Sequence, residues 1–523
     1  MMIPVTSRRK HWRDRLALAL LALFVWCVHV SSARAYDIQI SNLVVHPYSG
    51  GNGEVEFDIN WQSSWRATTE PYNWDAAWVF CKIRINGGDW AHLKLNTSGH
   101  TIPSTPLAIT TAMGLVDTSA AHNASTNPAL GIFLYRTNDG FGTFTANDVR
   151  LQWNYADNGA SSGDVIEIRV FGIEMVYIPQ GAFYAGDNAT SSASFKQGSA
   201  DNDPWSISSE DAFSTTNAST NGYYYVSRNF SEESATGAVF TIVAGFPKGY
   251  SSFYMMKGEI SQGQWVAFFN TLTNTQKSIR DITSSDNNGK NTDGLLARNN
   301  VSWTAGEATL PDQGGGATYS GVAMNYLAWE DLAAYLDWSG LRPMSELEYE
   351  KAGRGPNLPV SGEYAWGTTT VTATTSISNE GLRNERGQSG ANVTCGSQPS
   401  INGPLRVGSY AKGVDSRTLS GGSFYGVMEL SGNVWEQAVT VGSTAGRAFR
   451  GRYHGDGSLA GNGSADVTTW PGTLGVGAGF RGGVFDGVDI RCRLSDRHDA
   501  AYELFGSSAR NNSFGGRGVR SVP

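Results

Sequence analysis

The chain has 523 residues, a formal net charge of −8 and only 16 % charged residues. At roughly 150 residues per domain that length asks for two to four domains, and the acidic balance excludes a nucleic-acid binder, which needs clustered Lys and Arg. Its 63 glycines stand beside 16 Trp, 21 Tyr and 22 Phe, a composition that buries aromatic anchors between long loops rather than stacking amphipathic helices.

Residues 1–35 read as a secretory signal peptide. Arg8, Arg9, Lys10, Arg13 and Arg15 form a basic start, Leu16 to Val30 an apolar run, and Ala33-Arg34-Ala35 a small-residue cleavage site before Tyr36. The apolar core is shorter than the ~20 residues that span a bilayer. The mature chain is therefore expected to lack a transmembrane anchor and to be secreted, periplasmic or held at the cell surface. Removing the segment takes away six basic residues and one acid, which moves the net charge to −13.

From 36 to 172 the pattern is β. Val55 to Trp61, Trp78 to Ile85 and Val165 to Phe171 alternate with period two, and the second run ends at the turn Asn86-Gly87-Gly88. Strands at this spacing predict an all-β, sandwich-like domain. Nothing in it points to catalysis. Trp61, Trp65, Trp74, Trp78 and Trp90 could stack on sugars or fill the core, and core filling is the ordinary use of such residues.

A second domain is expected from 173 to 523. Met175 to Pro179 reads as a strand running into a Gly turn, and 187 to 250, rich in Ser, Asn, Thr and Asp, as an irregular excursion. Trp329 to Trp338 places Trp329, Leu332, Ala333 and Leu336 on one helical face and stops at Gly340. Ser345 and Glu348 form a capping box for the next helix, and a weaker helix covers Gln262 to Leu272. Beyond Gly353 the sequence reads as turns, short strands and aromatic-Gly pairs. Cys81, Cys395 and Cys492 survive processing, enough for one disulfide or none, and their spacing fits no zinc site.

The most informative stretch is Gly426 to Glu436, in which Glu429 and Glu436 flank the small-residue turn Ser431-Gly432-Asn433. Two carboxylates and turn carbonyls are the oxygen donors that Ca²⁺ prefers. Other pieces stand in order around it: Met175 to Phe183, Phe253 to Trp265, Gly340 to Glu350, Tyr364 to Gly367, Val407 to Tyr410, Arg481 to Phe485, and the closing Gly516 to Arg520. Taken together they resemble the formylglycine-generating enzyme (sulfatase-modifying factor) family over about 174–523. The resemblance implies an α+β, C-type-lectin-like fold with much irregular structure. It also implies calcium held by Glu429 and Glu436 with the carbonyls of Gly432 and Val434, and a second calcium site begun by Asn379 and Glu380.

The family's enzymes oxidise a substrate cysteine with O₂ at two cysteines that hold Cu(I), a metal that selects soft thiolates. Counted from Arg481, those two positions are Gly487 and Cys492. No register supplies two cysteines, so Cys492 alone is a weak catalytic candidate and copper is not expected. The loops after Arg481 and Arg497, with Phe485, Asp486, His498, Asp499 and Tyr502, would lie on the lectin-like ligand face. Retroelement-diversified receptors use the same fold and terminal region. Outside the resemblance, His454 with Asp456 could hold a metal or a base or be polar surface, and Asp486, Asp489, Asp496, His498 and Asp499 could form an acidic binding face, with structural ion pairs the expected use of Asp496 between Arg493 and Arg497. Three functions stay open: a calcium-stabilised, lectin-like binder of protein or glycan at the cell surface, an active oxidoreductase that makes formylglycine, and a structural cell-surface or motility component.

Overall fold

The structure is a computed structural model that describes residues 38–47, 50–102, 107–113, 129–188, 191–199, 203–225, 237–285, 288–396, 401–411, 416–501 and 509–522. The segment read as a signal peptide lies outside them. Eight strands open the described chain: β1 (Gln39–Pro47), β2 (Asn52–Arg66), β3 (Asp75–Ile85), β4 (Trp90–His92), β5 (Leu107–Met113), β6 (Ala129–Arg136), β7 (Gly140–Asn154) and β8 (Ile166–Ile178). One sheet runs β1–β2–β7, and a larger one carries β8–β3–β6–β5 with β4 beside β3.

Strict alternation predicts one buried face, yet β3 is covered on both. Ala77, Val79, Cys81 and Ile83 pack with Phe57, Ile59 and Trp61 of β2 and Leu151 and Trp153 of β7. From the opposite face Ala76, Trp78 and Phe80 enter a second core with Tyr335, Leu336 and Trp338. Apolar residues occupy both registers of the strand, so neither face tolerates water.

The strands expected at Val165–Phe171 and Met175–Pro179 are one element, β8. It pairs with β3 from Ile85↔Ile166 to Asp75↔Val176, and its far end pairs with strand Phe253–Met256 through Met256↔Met175 and Phe253↔Ile178. That strand pairs with Gly518–Ser521, which pairs in turn with Arg342–Pro343. One sheet thus continues across residue 172. Gly172 does not break it, because Ile38 fills the space a side chain would take, its Cγ2 lying 2.9 Å from where a Cβ would stand.

Buried polar contacts join the same two regions. Trp78 Nε1 donates to Ser339 O at 2.8 Å, and Lys82 Nζ to Trp338 O at 2.7 Å and Gly457 O at 2.6 Å. Asn73 Nδ2 donates to Tyr425 O at 2.6 Å, and Lys257 pairs with Glu174 of β8 at 2.5 Å. Each satisfies a group that would otherwise be buried at a cost.

The helices follow their caps. Trp329–Trp338 and Glu346–Arg354 form as expected, the second behind the Ser345–Glu348 capping box. The weaker helix covers Gln262–Phe269 and ends at Asn270, short of Leu272. Helix Asn274–Arg280, capped by Thr273 and Gln276, was not foreseen, although Thr-x-x-Gln is its signature. Residues 187–250 hold a four-stranded sheet of two- to four-residue strands, together with strand Trp205–Ile207. Farther on, Trp435–Val439 lies between Ala478–Arg481 and Phe514–Gly515. The protein is β-rich with few helices, and among the described residues no helix is long and apolar enough to cross a membrane.

Candidate functional site

Gly426 to Glu436 is a loop that delivers its carboxylates inward. Glu429 takes φ +53° and Asn433 φ +68°, left-handed values that a non-Gly residue adopts only where the surroundings fix them. Gly432, at φ +84°, must be glycine, because a Cβ there would meet Thr394 O at 2.5 Å. The loop is pinned by Gly432 N to Gly482 O at 2.7 Å, Asn433 N to Thr394 O at 2.8 Å and the Tyr349 hydroxyl to Leu430 O.

Glu436 is engaged on both oxygens. Arg517 donates Nε to Oε2 and Nη2 to Oε1, each at 2.6 Å, while also binding the carbonyls of Met256, Lys257 and Met428. Glu429 is different. Its Oε1 accepts from Gly408 N at 2.8 Å, and its Oε2 is buried with no hydrogen-bond partner. Burial pushes the Glu429 carboxyl up to about 7 even though Arg517 and the Gly408 N–H pull it down. Beside them sits Glu259, which sequence reasoning passed over inside the Phe253 to Trp265 motif. Its Oε2 accepts from Asn433 Nδ2 at 3.1 Å, its Oε1 has no partner, and burial followed by the charge of Glu429 raises its carboxyl well above the usual range. For a hard cation, then, Glu429 offers a free buried oxygen, whereas the oxygens of Glu436 are held by a guanidinium.

The second expected pair is also engaged. Glu380, about half exposed, pairs with Arg298, which binds Glu385 at 2.7 Å as well. Asn379 takes φ +55° and donates to Asn384 O at 3.4 Å.

On the expected ligand face, Phe485 is buried (2 % exposed), and its N–H donates to Asn433 O at 3.0 Å, which ties this loop to the Gly426 to Glu436 stretch. Asp486, Val488, Asp489 and Ile490 are exposed. His498 Nδ1 lies 2.7 Å from Asp499 Oδ1, both half-buried, and Tyr502 lies outside the described residues. Asp496 is a clamp, accepting from Ser192 N and His498 N and pairing with Arg491 at 3.5 Å.

Cys492 is bonded to Cys395, and Cys81 is a buried free thiol in β3. The disulfide lies under Tyr364, Trp366 and Val393. Gly487, the other position counted from Arg481, accepts from Gly396 N at 2.9 Å. The residue that reaches this spot is therefore Cys395, brought from 92 positions away, which no count along the sequence could supply.

Among the described residues one trio of acids brings ligand atoms within 4.8 Å of one another: Asp337, Asp456 and Asp466. Asp337 already accepts from the N–H groups of Asp456 and Asp466, each at 3.0 Å, so it folds this loop onto its helix. His454 is buried beside the loop, with Nε2 accepting from Ser521 N at 3.0 Å. Burial holds its ring well below the usual histidine range, with Arg520 and Arg342 adding to the effect. The Trp rings are largely spoken for. Trp61 and Trp78 are buried, Lys257 sits 4.9 Å over Trp65, Arg66 4.4 Å over Trp74, and Arg84 and Arg169 lie over Trp90.

Residues 231–520 match the family model described as sulfatase-modifying factor enzyme 1-like domain. The chain belongs to that family. No curated protein matches it. Among solved structures, the crystal structure of the group B streptococcus pilus 2b backbone protein is similar at 11 % identity, over 42 % of this chain and 83 % of that one. Its TM-score of 0.10 carries no argument. In this sulfatase-modifying factor enzyme 1-like chain the matched residues include the Gly426 to Glu436 loop, Glu259, Cys395 and Cys492, while β1–β8 precede them.

Proposed function

We propose that this family member is an exported, non-catalytic binding protein with a C-type-lectin-like domain steadied by calcium, taking a protein or glycan at the cell surface. The observation that carries this reading is the state of Cys492. The single cysteine at a family catalytic position is closed onto Cys395, with both residues almost fully buried (0 % and 1 % exposed). A substrate thiol needs an accessible sulfur. The neighbouring surface instead presents Val488, Asp489 and Ile490, an apolar-acidic strip suited to contact. A near-identical template repeat beside the coding region would mark that strip as diversified.

One observation favours the oxidoreductase. Cys395 stands against Gly487, so reduction would release two adjacent thiols where the family's copper pair is expected, and thiolates are the ligands Cu(I) selects. The test offers the mature protein, before and after reduction and copper addition, a cysteine-containing sulfatase peptide, and screens the same protein on glycan and protein arrays. Saturable array binding without peptide oxidation supports the binding reading. Peptide oxidation that disappears in Cys395→Ser overturns it. Neither activity would leave the structural surface component as the better account.

Calcium is tested by thermal melting with and without chelator. Binding only to the folded state should raise the midpoint in a concentration-dependent way, by about 2.7 kcal/mol of stability at a hundredfold excess over Kd.

A further inference from the structure

We propose that the carboxylates which grip the cation in this chain are Glu259 and Glu429, with Glu436 serving as the counter-ion of Arg517. The proposal rests on the calcium reading above and changes its ligand set. Three carboxylates, Glu259, Glu429 and Glu436, are buried around the one guanidinium of Arg517. Arg517 spends its fork on Glu436, two hydrogen bonds in parallel, which is the strongest arrangement the pair can make. Its remaining donors go to the carbonyls of Met256, Lys257 and Met428, so Arg517 has none for the other two; Arg406 acts on Glu429 through charge.

Those two are built alike. Each fixes one oxygen on a positioned donor, Glu429 Oε1 on Gly408 N and Glu259 Oε2 on the Asn433 amide, and each leaves the second oxygen buried with no hydrogen bond. Glu429 is the charged neighbour that acts most strongly on Glu259, so the pair share one locality. Asn433 is itself held, its Oδ1 accepting from Leu405 N at 2.8 Å, so the Glu259 side chain hangs from a rigid support. Ser409, next to Gly408, adds a third buried oxygen without a partner.

Buried acceptors in that state are costly unless a cation or a proton fills them. Two carboxylate oxygens and a hydroxyl from three separate segments are hard donors, the kind that Ca²⁺ takes. The ion would tie the residues just before helix Gln262–Phe269 to the 408–409 loop and to the Gly426 to Glu436 loop. A shared proton is the competing occupant, and it would give the site no metal dependence.

The experiment uses the full mature chain, dialysed against chelator and titrated with calcium chloride alone by calorimetry, with melting curves in parallel. Removing even an outer-shell partner weakens metal sites by about 10- to 100-fold, so Glu259→Gln and Glu429→Gln should each weaken calcium binding at least tenfold. Asp456→Asn, in the acidic trio, should leave it unchanged. Glu259→Asp withdraws the oxygen while keeping the charge, and serves if the Gln variant does not fold. Calcium binding that Glu259→Gln and Glu259→Asp leave intact overturns the ligand set while the calcium reading stands. A native chain that neither binds calcium nor melts higher with it overturns both and assigns the oxygens to a proton.

Discussion

Trp78→Ala asks whether the residues before the family match are a separable module. Trp78 is fully buried on the face of β3 that meets the second core. Losing a buried Trp costs about 3–5 kcal/mol. Its Nε1 bond to Ser339 O at 2.8 Å goes too, and a buried carbonyl left unsatisfied adds about 1–3 kcal/mol. Arg520, 4.5 Å over the ring, loses its aromatic partner as well. A total near 5 kcal/mol should lower the melting midpoint by roughly 10 °C or more at the 2–4 °C per kcal/mol of larger domains. Because β8 belongs to both regions, the drop should appear in one cooperative transition, read by far-ultraviolet circular dichroism and by calorimetry. Trp61→Ala is the companion variant, since its ring lies in the core made only from residues 38–170. Both variants should move the same transition. Two resolved transitions, with Trp61→Ala shifting one and leaving the other in place, would refute the shared-sheet reasoning.

Cys395→Ser with Cys492→Ser removes a link across 97 residues, which in the chain-entropy picture restrains the unfolded state by about 4–5 kcal/mol; the guanidinium midpoint should fall while the circular dichroism spectrum stays native. Burial pushes Asp496 up to about 6 against the pull of Arg491, so the folded state holds its proton more tightly than the unfolded chain does. That contribution is fully present below about pH 4 and disappears as pH rises through 6, and Asp496→Asn should lack this part of the pH–stability curve, a difference on the order of 3 kcal/mol.

What the sequence disclosed followed local signals. The Ser345–Glu348 box and the Trp329–Trp338 stripe mark helices through hydrogen bonds and periodicity confined to a few residues, and both formed where expected. The β runs were legible through alternation. Their partners were not, because pairing β8 with Phe253–Met256 depends on an edge that another part of the chain supplies. The same limit hid Cys395, whose closeness to Cys492 is a fact of the fold rather than of spacing. It also hid Glu259: within its motif it is a lone acid near Lys257, Ser261 and Gln262, and its free oxygen is visible only once Asn433 is seen to hold the other. At Glu436 the sequence suggested a metal ligand, and the fold supplies Arg517, 81 positions away, on both its oxygens.

The motifs that identify the family are, in this chain, mostly scaffolding. Arg342 binds Glu348, Arg481 binds Glu346 and Glu350, Arg497 binds Glu346, and Arg517 binds Glu436, all among nearly fully buried side chains. The short strands and long loops around these pairs need such internal ties, and removing one partner of a buried pair costs about 3–5 kcal/mol because the other charge is stranded. All of these pairs fall inside the matched residues 231–520. The thiols expected from the family resemblance are separate from these pairs: here Cys492 is closed onto Cys395 while every one of the ties is in place. Membership therefore does not by itself assign the reaction to this protein, and the residues that test it are Cys395 and Cys492 rather than these arginines and glutamates.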